Sequence, residues 1–103
     1  MKKWRNYLVD RLKKNPNEAI SYLNVALEEF EKDQNLDAFL LSLRTVIKIQ
    51  GGVSSLAKKT DLNREHLYRL LSSKGNPTLF SLLKILGALG YHLKIESEEK
   101  LAA

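Results

Sequence analysis

From Val53 to Gly90 the chain reads VSSLAKKTDLNREHLYRLLSSKGNPTLFSLLKILGALG, which the spacing of its apolar residues divides into two short helices, a tight turn between them and a third helix behind. Val53, Leu56 and Ala57 share one face of the first helix. It breaks at Thr60-Asp61, where a short polar side chain tolerates the left-handed backbone of a sharp turn. Asn63 restarts the chain as an N-cap, and Leu67 and Leu70 follow at helical spacing toward the packing partner. Arg64, Glu65, His66, Tyr68 and Arg69 are left facing outward. A second helix presented in this way is the element that enters the major groove of duplex DNA.

The 103 residues support one domain that buries a core without covalent staples. The absence of cysteine excludes a disulfide framework, a cysteine-based zinc site and thiol chemistry, and the two histidines stand in no metal-ligand spacing. No cofactor or metal is expected. No apolar run approaches the roughly 20 residues that span a bilayer. The start, MKKWRNYLVDRLKKN, places charge inside what would have to be an apolar signal core. A soluble, cytoplasmic protein with no membrane partner is expected.

The net charge of +5 is unevenly spread. Residues 1–14 hold six basic and one acidic side chain, and residues 15–37 one basic and six acidic. Residues 53–75 hold five basic against two acidic. The basic segment over the outward helix suits phosphate, whereas the acidic one, centred on Glu28, Glu29, Glu31, Asp33 and Asp37, repels it. Two faces and two partners are implied, although an ordinary solvated acidic face reads the same way.

Trp4, Leu8 and Leu12, with Tyr7 beside them, predict an amphipathic N-terminal helix. Asn15-Pro16-Asn17-Glu18 then starts a second helix with an N-cap, a proline at its first position and a glutamate at its third. Its expected stripe is Ile20, Leu23, Leu27 and Phe30, flanked by Ala19 and Ala26. The acids at its end oppose the helix dipole. Asn35 caps a third helix carrying Leu36, Phe39, Leu40, Leu43, Val46 and Ile47, which Gly51-Gly52 stops. Downstream, Thr78 caps a last helix whose expected stripe is Leu79, Leu82, Leu83, Leu86 and Leu89. Tyr91, Leu93 and Ile95 alternate with His92 and Lys94, the period of a strand, and a lone strand needs a mate. The same strand of a second copy across a two-fold axis is the expected mate, making these three residues the dimerisation element. Covering the end of the monomer is the alternative.

Residues 36–90 resemble the XRE, or lambda-repressor-like, family of five-helix DNA-binding domains, through LAKKTDLNREHLYRLL followed by GNPTLFSLLKILGALG. With YLNVALEE upstream and GALGYHLKIE downstream, residues 7–96 are similar to the HigA-type addiction-module antidotes. The resemblance implies a homodimeric antitoxin that neutralises a RelE/ParE-superfamily toxin and represses its own operon by binding operator DNA. Two departures are visible. Asp61 stands where relatives often have glycine, and Val53 where they often have a phosphate-bracing glutamine, leaving Ser54 or Ser55 to substitute.

The expected fold is therefore all-α: a helical extension at 1–34, a five-helix DNA-binding domain with a C-terminal strand at 35–96, and a tail at 97–103. By the family's motif, Arg64, Glu65 and Arg69 reach base edges, arginine reading guanine and glutamate accepting from cytosine; the alternative is a solvated helix surface. Asn63, at the start of that helix, falls within the same candidate surface. His66 and Tyr68 either touch DNA or pack at the domain rim. Lys74, Asn76 and Thr78 fit phosphate contacts that position the protein. Trp4 is a core anchor or a partner anchor, the first favoured. With Glu28, Glu29 and Glu31 it forms the candidate toxin-binding set. His66 and His92 lack a nucleophile pattern, so no enzymatic activity is expected. A stand-alone repressor without a toxin, or an interaction module that binds no DNA, would carry much the same sequence.

Overall fold

The computed structural model describes residues 2–98. They form six helices: α1 (Lys2–Lys14), α2 (Pro16–Asp33), α3 (Leu36–Ile49), α4 (Gly52–Thr60), α5 (Arg64–Leu71) and α6 (Leu79–Ala88). Three of the four expected side-chain caps form; Asn15 stands before Pro16 at the start of α2, but its side chain donates to the Arg11 carbonyl instead of capping, and Glu18 pairs with Arg11. Asn35, Asn63 and Thr78 each accept from the backbone N–H three residues on, those of Ala38, His66 and Ser81. At the far end of α6, Gly90 takes a left-handed φ of 90°. It donates to the Gly87 carbonyl while Tyr91 N donates to Leu86 O at 2.8 Å, the paired bonds of a Schellman ending.

The central element is α3. Its two apolar stripes, Phe39-Leu43-Val46 and Leu40-Ile47, are buried because α1, α2, α4 and α5 all lie against it. Behind the motif α6 packs on α4, and Gln50 at the end of α3 donates to the Leu89 carbonyl at 3.0 Å and to the Tyr91 hydroxyl at 3.3 Å. Leu56 of α4, Leu67 and Leu71 of α5 and Ile85, Leu86 and Leu89 of α6 complete the same core.

That core does not stop at residue 35. Leu23 is part of it, with Tyr22, Ala26, Leu27 and Phe30 packed on it, and the Phe30 and Phe39 rings stack at 5.9 Å. Residues 35–96 contain only four helices, so α2 supplies the fifth layer around α3. α1 is joined to this body by Val9 and Leu12, which are buried, and by Arg5 Nη2 donating to the buried Thr45 hydroxyl at 2.8 Å. An exposed Arg11–Glu18 pair at 2.9 Å adds little.

Several expectations need correction. Trp4 is 60% exposed and lies beside Tyr7 on the outer face of α1; the buried stripe is Val9 and Leu12, with Leu8 at its edge. In α2 Ile20 is 42% exposed and Ala19 takes its place in the interior. In α6 the buried face is turned toward Leu82, Ile85, Leu86 and Leu89, which leaves Leu79 and Leu83 outside. Both sets satisfy helical spacing, and the run LFSLLKILGALG has too many leucines for the period to choose between them.

No strand forms among the described residues after α6. The Schellman ending takes the amide of Tyr91, its ring folds onto the core, and its hydroxyl is held by Gln50. Beyond it, Ile95 is 97% exposed. Of the expected tail at 97–103, residues 99–103 lie outside the described residues.

Since α2 shares one core with α4 and α5, Leu23→Ala is expected to destabilise the whole chain by about 2–5 kcal/mol, as buried leucine truncations do. Circular dichroism should show a single thermal transition moved downward. A separate early melting of α2 would show instead that the extension folds by itself.

Candidate nucleic-acid interface

The turn between α4 and α5 is built by three side chains. Asp61 adopts the left-handed conformation, φ 64°, as the break in the pattern requires. The buried Thr60 hydroxyl donates to the Leu56 carbonyl at 2.9 Å and accepts from Leu62 N at 3.3 Å. Asn63 then caps α5 by accepting from His66 N at 2.7 Å, so its side chain has a structural role within the candidate surface.

On α5 the inward face is Leu67 and Leu71, with Leu70 half-buried. Arg64, Glu65, Tyr68 and Arg69 project into solvent, while His66 is half-buried at the rim. Glu65 and Arg69 stand one turn apart yet form no ion pair. Among the described residues, none of Lys58, Lys59, Arg64, Arg69 and Lys74 is paired with a carboxylate. Arg64 and Arg69 on α5 and Lys74 on the loop after it are thus left for an external anion. Ser54 is exposed and Ser55 half-buried on the first turns of α4.

The loop after α5 is held against that helix by two contacts absent from the sequence reading. Arg44, half-buried on α3, donates from Nη1 to the Leu71 carbonyl, placing a cation where the dipole of α5 ends. Gly75 lies so close to the last turn that an added Cβ would stand 2.0 Å from the Leu70 carbonyl oxygen and 2.8 Å from that of Arg69. Its N–H donates to Ser72 O at 2.8 Å. Lys74 and Asn76, both exposed, are carried on this folded loop, and Thr78 spends its hydroxyl on capping α6. A glycine between Lys74 and Asn76 was the available signal for the close approach.

The candidate toxin-binding residues lie elsewhere. Glu28, Glu29 and Glu31 are exposed at the C-terminal part of α2, but on two sides: Glu28 and Glu31 face the segment after α6, and Glu29 faces the α2–α3 junction beside Asp33. Trp4 is on α1 and lines neither place. Tyr91 and Leu93 line an apolar groove between α2 and α6. The sequence reading passed over Phe80, which is 71% exposed beside Leu79 at 65%, with the Lys84 ammonium 5.5 Å from its ring.

Gly75→Ala has no flexible neighbour to displace, only backbone, and is expected to cost about 1–3 kcal/mol as overpacking does. Urea denaturation should show a lower midpoint at unchanged slope. A midpoint equal to wild type would mean that the loop swings off α5 freely.

The chain is 31% identical over 75 residues to an uncharacterized protein of Haemophilus influenzae, a span covering 73% of this chain and 72% of that protein. No solved structure matches at a significant level. A family model described as "Probable addiction module antidote protein" matches residues 5–97, from α1 through the segment after α6. Over that span the chain belongs to the family of probable addiction module antidote proteins, and the partner that membership implies is a toxin.

Proposed function

We propose that this antidote is a cytoplasmic, non-catalytic antitoxin that also represses its own operon, reading operator DNA as a homodimer of lambda-repressor-like domains and neutralising a RelE/ParE-superfamily toxin. The observation that carries the DNA reading is the unpaired cation set on and around α5, presented by a helix whose opposite face is fully buried. Arg64, Glu65 and Arg69 are the base readers; Tyr68 and the rim residue His66 flank them. Ser54, Ser55, Lys74 and Asn76 position the backbone, with the caps Asn63 and Thr78 fixing the two ends of the surface. A stand-alone repressor would share this surface, but it would not account for membership in an antidote family.

We infer a dimer contact on the outward face of α6. Leu79, Phe80 and Leu83 form an exposed apolar cluster that starts one residue after the Thr78 cap. Contiguous apolar surface on a small protein marks an interaction site. A two-fold axis there joins the copies beside their DNA-contacting loops. Two recognition helices about 34 Å apart would then meet successive major grooves.

Replacing Arg64 or Arg69 by alanine is expected to cost about 1–3 kcal/mol in operator binding and to relax base preference at one position per half-site. Titration against operator variants checks this, and two mutants with wild-type preference would remove α5 from the readout surface. Wild-type affinity should fall steeply with rising salt, as phosphate neutralisation requires.

Phe80→Asp should give a folded monomer in sedimentation at micromolar concentration, with operator affinity reduced by the loss of the second half-site. A variant that stays dimeric would place the two-fold contact on another surface.

A further inference from the structure

Between α2 and α6 runs an apolar groove of about 280 Å³. Ile20 and Leu27 form one wall, Leu82 and Leu86 the other, and Leu93 lies across its end. It opens into a basin of about 570 Å³ that shares Asn24, Leu27, His92 and Leu93 with it. The basin is lined by four carboxylates, Glu28, Glu31, Glu96 and Glu98, and by a single cation, Lys94, which is itself 3.5 Å from Glu96. An acidic hollow on a chain of net charge +5 is set apart from the rest of its surface. Glu28 and Glu31 also sit toward the C-terminal end of α2, where the helix dipole disfavours them, so helix stability does not account for their placement.

We propose that groove and basin together are the seat of the toxin, taking a basic amphipathic segment whose apolar side chains enter the groove and whose Lys or Arg side chains enter the basin. The proposal rests on the antidote role and names the surface that performs it. Charge complementarity selects the occupant: four carboxylates around an apolar trough repel phosphate and acidic peptides and attract a cationic helix or strand. In α1, the chain's own basic segment, Val9 and Leu12 are buried and Arg5 is engaged with Thr45, which leaves Trp4 and Tyr7 as its exposed large apolar side chains. No residue of α4 or α5 lines either hollow, so a toxin seated here leaves the candidate DNA surface open.

The test uses the full chain and the toxin encoded beside it, titrated by calorimetry at low and high salt. Ile20 and Leu93 are 42% and 37% exposed, so Ile20→Asp and Leu93→Asp leave the fold intact, with operator binding as the check. Each is expected to raise the toxin Kd about tenfold or more, the effect of disturbing a desolvated anchor. The double change Glu28→Lys, Glu31→Lys should slow association about tenfold and flatten its salt dependence. Toxin affinity within about twofold of wild type in both aspartate variants, against that tenfold expectation, would put the seat elsewhere while leaving the antidote role standing. A wild-type chain that fails to bind the toxin would overturn the antidote role itself and the proposal with it. Conversion of a wild-type dimer to monomer by Ile20→Asp would assign the groove to a second copy and likewise overturn it.

Discussion

A helix of eight residues has too few internal hydrogen bonds to offset its own nucleation, so α5 exists only because something else holds it. That support is α3. Leu67 and Leu71 sit at full burial in the core that α3 centres, Arg44 of α3 binds the terminal carbonyl of α5, and Gly75 lets the following loop close on its last turn. Each contact acts on the inner face or the end of the helix. The outer face is thereby left free to be chosen for charge alone, which is how Arg64 and Arg69 stand exposed without an internal partner.

The same dependence explains why the N-terminal half is more than an appendage. α3 buries a wide face, Phe39, Leu40, Leu43, Val46 and Ile47 with Thr45, and α4 and α5 cover only part of it. Leu23, Ala26 and Phe30 of α2 cover much of the remainder, and α1 closes over Val46 and Thr45 by way of Arg5 and its own buried residues. An 18-residue helix has surface to spare after that duty. Its free edge, Ile20 to Glu31, forms the apolar trough with α6 and the acidic basin with the segment after α6. The element that completes the core around α4 and α5 therefore carries the surface best suited to the proposed second partner.

Much of this was legible in the chain. The three side-chain caps, the left-handed Asp61 and the buried stripe of α3 follow from local chemistry that needs no tertiary knowledge, and all are present. What was not legible has a common cause. Where apolar residues are more numerous than one face requires, as with Leu79, Phe80, Leu82, Leu83 and Leu86, period alone cannot say which of them the neighbours will cover. Trp4 and Ile20 failed for the same reason, a partner helix meeting a different arc of the stripe. The alternation at Tyr91–Ile95 was overruled by a local event, the Schellman ending that turns Tyr91 into the core. The Gly75 approach and the Arg44 link join segments distant in sequence or set by a loop path, and no periodicity encodes them.

The ten residues of α6 are where the two proposed partners would communicate. Leu82 and Leu86 face the groove, Leu79, Phe80 and Leu83 face outward, and Ile85 anchors the helix in the core between them. A ligand on one stripe of so short a helix fixes its position for the other stripe. Toxin in the groove would restrain α6 and, with it, the outward cluster from which the proposed dimer would be built. Linkage then works in both directions: whatever toxin does to dimer affinity, dimerisation and the operator that favours it must do to toxin affinity. The sign follows from geometry. If the dimer accepts α6 as the toxin leaves it, occupancy tightens repression; if the seated toxin tilts α6, or itself crowds the two-fold axis, it loosens the repressor. Either way the control would act through α6 and the dimer contact beside it and not through competition for the cations of α5, since the hollows that would hold the toxin contain none of them.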